Sequence, residues 1–168
     1  MTSNSDAKDP IAQRIKEARD KKKDEAHAAA GEREILKNFQ QQADRNGKAQ
    51  LSEIESLFIA RCNAINEAGE EPKFQYDRQR HRMTAGKFAL DLDLTEGFSP
   101  YRFDMTSTLD RDLHFAEGFE PDYEPTNWKF LARMDDNGFY WECNNRRYSN
   151  EQIVNEGLEA VAANIARQ

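Results

Sequence analysis

The 168-residue chain has little of what marks a specialised class of protein. Its two cysteines, Cys62 and Cys143, are far apart, and neither has a second Cys or a His at ligand spacing. That excludes a disulfide framework and a structural zinc site, and it fits reduced thiols in the cytoplasm. No apolar run approaches the roughly 18 residues that a membrane span requires. Residues 1–10 are polar and lack the apolar stretch of a secretory signal. GxGxxG, the Walker loop and Gly-x-Ser-x-Gly are all missing. The sequence therefore assigns no cofactor, no metal and no catalytic residue. The net charge of −7 argues against nucleic acid as the main partner.

Large aliphatic side chains are scarce too, and unevenly spread. Valine occurs twice, and Leu, Ile, Val and Phe together supply 30 residues, a low share for a globular chain. Residues 1–71 hold 11 of them; residues 72–168 hold 19, with all five Tyr and both Trp. The layout expected is a disordered tail at 1–9, a helical arm at 10–71, and an antiparallel sheet with a helix at 72–168.

The arm reads as helix. Asp9 caps it and Pro10 suits its first position. Ile11, Ile15 and Ala18 make a thin stripe, and Lys21, Lys22 and Lys23 wrap charge around the next turn. A helix this polar is solvated or awaits a partner. Gly31 is a soft break. Ile35, Leu36, Phe39 and Ala43 form a fuller apolar face before Asn46-Gly47, which reads as a turn. Leu51, Ile54, Leu57, Phe58, Cys62 and Ile65 line one side of a further segment. Two helices are expected, at about 10–45 and 49–68.

At Pro72 the apolar period changes from 3.6 to 2. Phe74 and Tyr76 open the first strand. Phe88, Leu90, Leu92 and Leu94 alternate with polar residues, as do Tyr101, Phe103 and Met105, with Leu113 and Phe115 continuing the pattern. Trp128 to Met134 and Phe139 to Cys143 flank Asn137-Gly138, a hairpin signal. Ser149 and Gln152 fit a capping box for a helix at 150–166, with Ile153, Val154, Leu158, Val161 and Ile165 buried. The fold class is α+β, with an antiparallel meander of about five strands over 74–143.

Three patterns bear on chemistry. Residues 44–55 carry Asp44, Asn46, Ser52 and Glu55 at the first, third, ninth and twelfth positions of a loop that resembles the EF-hand calcium loop. Lys48 and Ala49 depart from that pattern, at a ligand position and at the turn glycine. Glu-Gly-Phe-x-Pro occurs twice, at 96–100 and 117–121. The repeat reads as two equivalent strand ends with Phe tucked on the core, or as Glu96 and Glu117 paired at one rim with His114 and Arg78. Arg78, Arg80 and Arg82 read as one strand face shared with Phe74 and Tyr76. That face suits stacking of single-stranded bases or cross-strand pairing with Asp91, Asp93 or Asp104. His27 lies in the charged helix and His81 on the arginine-rich strand.

The functional expectation is a small cytoplasmic, non-catalytic interaction or adaptor protein, with a protein partner or a homodimer formed through residues 10–68. The alternatives are a ligand-binding protein or enzyme at the rim (Glu96, Glu117, His114), and a single-stranded nucleic-acid binder using Arg78, Arg80 and Arg82.

Overall fold

The computed structural model describes residues 9–113 and 121–168. Its elements are α1 (Pro10–Glu67), β1 (Phe74–Asp77), β2 (Arg82–Ala85), β3 (Phe88–Thr95), β4 (Arg102–Leu109), β5 (Thr126–Asp135), β6 (Gly138–Cys143), β7 (Arg146–Tyr148) and α2 (Asn150–Ala166). This is an α+β fold. The chain divides into two units, Met1–Asn38 and Phe39–Gln168, and the division falls within α1.

The strands form one sheet in strict chain order, and every neighbouring pair is antiparallel. Among the described residues there are seven strands rather than about five. The first alternating stretch bends at residues 78–81 and becomes two strands, and Arg146–Tyr148 adds a short edge strand. Leu113, expected to continue the alternation, lies after β4 in a turn and is 42% exposed. Phe115 lies outside the described residues. The Asn137-Gly138 signal holds: Asp135 pairs with Gly138, Asp136 and Asn137 form the loop, and Gly138 takes φ 105°.

The helical region differs from expectation at its breaks. α1 is one helix and passes through both Gly31 and Asn46-Gly47. A glycine inside a helix costs about 1 kcal/mol against alanine, and packing outweighs that cost at Gly47. Gly47 is buried, and a Cβ there would stand 2.3 Å from Cδ1 of Tyr101. The glycine is a seat for an aromatic ring, not a turn. Asp9 does cap the helix, accepting a hydrogen bond from the Ile11 amide at 2.9 Å.

Alternation puts one face of the sheet in the core. Phe88, Leu90 and Leu92 of β3, Phe103 and Met105 of β4, Phe130 of β5 and Trp141 of β6 are buried there. They pack with Leu51, Ile54, Phe58 and Cys62 of α1, and with Ile153, Val154, Leu158 and Val161 of α2. The two helices and the sheet meet at Gly157, where a Cβ would lie 2.6 Å from Leu90 and 3.2 Å from Phe58. The capping box of α2 forms as read, with Ser149 accepting from the Gln152 amide and Gln152 accepting from the Ser149 amide.

Candidate functional site

The calcium-loop resemblance does not survive folding. Residues 44–55 are helical, so their oxygens point around a cylinder instead of converging on an ion. The two acidic ends serve the protein itself. Asp44 accepts hydrogen bonds from the Tyr101 amide (2.7 Å), the Ser99 hydroxyl (2.6 Å) and Gln40 (2.7 Å), and so ties the β3–β4 turn to α1. Glu55, at the other end, is buried. No group of three or more His, Cys, Asp or Glu residues suited to a metal ion occurs among the described residues.

Of the four rim residues the described ones, Glu96 and Arg78, are held by different parts of α1. Glu96 pairs with Lys48 at 3.6 Å, and Arg78 donates to the Ser56 hydroxyl at 2.9 Å. Lys48 and Ser56 are about 12 Å apart along α1 at 1.5 Å per residue. His114 and Glu117 lie outside the described residues. The glycine of the first Glu-Gly-Phe-x-Pro copy takes φ 81° as its turn requires. Phe98, however, does not tuck into the core: it is 56% exposed, with the Arg102 guanidinium 4.7 Å from its ring centre.

The arginine stripe is not a strand face. Arg78, Arg80 and His81 sit in the β1–β2 turn, and Arg82 alone belongs to β2. Arg80 bonds to Asp112 at 2.6 Å. Arg82 lies against three carboxylates: Asp91 and Asp110 at 3.1 Å, and Asp112 at 3.4 Å. Arg80, Arg82, Asp110 and Asp112 line a cleft of about 270 Å³ on the outer face of the sheet. Burial holds the Asp91 carboxyl above its ordinary range, and Arg82 only partly offsets it. Charge in the cleft is matched internally, so a phosphate backbone would find little free cation there.

One buried polar cluster had not been read from the sequence. The Glu55 side chain accepts a hydrogen bond from the Tyr76 hydroxyl at 3.0 Å, and the same oxygen lies 2.7 Å from Nδ1 of His81. Tyr76 stacks on Phe58 with ring centres 5.6 Å apart. Burial, reinforced by the Glu55 carboxylate, pushes the Tyr76 hydroxyl far above its ordinary value. A carboxylate that orients an imidazole is half of a nucleophile-activating arrangement. His81 bonds to no hydroxyl or thiol among the described residues, so the cluster here anchors the β1–β2 turn to α1. The signal was available: Glu55 sits on the apolar stripe between Leu51 and Phe58.

The remaining feature is α1 before Phe39. Every residue from 10 to 38 is exposed. Ile11 is 68% exposed, Ile15 50%, Ile35 56% and Leu36 67%. His27 is exposed as well. No helix among the described residues is long and apolar enough to cross a membrane. Comparison of the chain with protein-family models, with curated proteins and with solved structures gives no match.

Proposed function

We propose that this is a small interaction protein of the cytoplasm in which residues 10–38 present a helical docking face to another polypeptide. The observation that carries this reading is the run of exposed helical residues with four large apolar side chains left in water. The second half of α1 is held by the core and so supplies the costly helix nucleus. Extension toward residue 10 then gains little per residue from a thin stripe, and a partner that covers the stripe stabilises it. The free, buried thiols of Cys62 and Cys143 suit a reducing compartment.

Site-specific photo-crosslinking tests the reading. A photoreactive residue placed at Ile15 is expected to give an adduct heavier than the single chain in a cell extract. The same residue at Lys129, on the outer face of the sheet, is expected to give none. Equal behaviour at both positions, or no adduct at Ile15, would remove the docking reading.

A further inference from the structure

We propose that the occupant of this helical face is a second copy of the chain, paired antiparallel so that residues i and 47 − i face each other. The inference rests on residues 10–38 being an interaction helix and names the partner. Ile11, Ile15, Ala18, Lys22, Glu25, Ala29, Glu32 and Leu36 follow each other at alternating steps of four and three, and so share one stripe of α1. The series of steps reads the same from either end. Reversing the helix therefore lays the stripe on itself: Ile11 faces Leu36, Ile15 faces Glu32, Ala18 faces Ala29 and Lys22 faces Glu25. A two-fold interface demands this self-complementarity.

Charge selects the orientation. Residues 14–23 carry six cations and two anions, whereas residues 24–33 carry three anions and one cation. Antiparallel pairing puts the net +4 segment of each copy against the net −2 segment of the other. Parallel pairing stacks like on like, with Lys22 on Lys22 at the centre. Ala18 and Ala29 lack bulk and let the backbones come close between the apolar ends, while Glu32 falls beside Arg14 of the second copy. Gly31 leaves space open, since nothing lies within 4 Å of where its Cβ would be.

Sedimentation of the full chain gives the first test: the expected mass is twice that of the monomer at tens of micromolar. Lys22→Glu and Glu25→Lys each place like charges at both central contacts and are expected to raise the dissociation constant about tenfold. The Lys22→Glu/Glu25→Lys double variant restores wild-type association, and Gln13→Ala, off the stripe and without change of charge, leaves it unchanged. Mild oxidation of the Ala18→Cys/Ala29→Cys variant traps a covalent dimer, whereas Ala18→Cys alone does not. A chain monomeric at all concentrations, a dimer indifferent to both reversals, or a crosslink from Ala18→Cys alone overturns the proposal. If the chain is monomeric but the Ile15 crosslinker captures a different protein, self-pairing fails and the docking reading stands.

Discussion

Residues 10–38 and 39–67 belong to one helix, yet the first stretch buries no side chain while the second buries Ala43, Leu51, Ile54, Glu55, Phe58 and Cys62. The two share backbone geometry and differ in what pays for it. The second is held by the sheet and α2, through Phe58 on Tyr76 and Asp44 on the β3–β4 turn. The first is held by its own hydrogen-bond ladder. Helicity alone thus says little about stability, because most of a helix's stability in a protein comes from the face it buries.

Mutations at matched positions should separate the two stretches. Phe58 is fully buried, so Phe58→Ala is expected to lower unfolding free energy by about 3–5 kcal/mol. Leu36→Ala, at a position 67% exposed, should change that of the chain diluted to a monomer by less than about 0.5 kcal/mol. Urea unfolding of both variants checks the contrast. The glycines sharpen it, because alanine is the better helix former at each. Gly47→Ala should still destabilise by about 1–3 kcal/mol, since the new methyl collides with the Tyr101 ring. Gly31→Ala meets open space and should raise helix content, with a local gain of about 0.5–1 kcal/mol. Circular dichroism and thermal melts read both effects.

Alkali acts on the core that holds the buried stretch. Burial pushes the Cys62 thiol up to about 11 and keeps the Tyr76 hydroxyl protonated beyond its usual range. Unfolded, these groups ionise near their ordinary values of 9.0 and 10.0, so above pH 9 the folded chain binds more protons than the unfolded one. Stability is therefore full below pH 9 and falls as pH rises toward 11. Tyr76→Phe should flatten the part of this slope above pH 10, measured as unfolding midpoint against pH. The smallest effect is chemical: both thiols are buried and should resist a thiol reagent in the native chain, then react together in denaturant.

The legible part of the fold was what local pattern controls. Period-2 alternation placed β3 to β6, the Asn-Gly pair placed the β5–β6 hairpin, and Ser149 with Gln152 placed the start of α2. What misled were residues whose local meaning tertiary contacts reverse. Asn46-Gly47 is a turn signal to its neighbours in sequence, but Tyr101, more than fifty residues away, needs the missing Cβ. Arg78 and Arg80 look like strand because β1 and β2 alternate on either side, and only Asp77 accepting from the Gln79 and Arg80 amides marks the turn. Of the polar sites, Glu55 was visible as a carboxylate on an apolar stripe. Its partners Tyr76 and His81 were not, since nothing local joins residue 55 to residues 76 and 81.

The central claim is that residues 39–168 fold without the helix that precedes them. A chain of residues 38–168, beginning at Asn38 as a helix cap, tests it most directly in a urea unfolding curve set beside the full-length protein, both diluted until the full-length chain is monomeric. The account predicts a single cooperative transition with its midpoint unchanged. A broad transition without cooperativity, or a stability loss above about 2 kcal/mol, would show that residues 10–37 belong to the core and would contradict it.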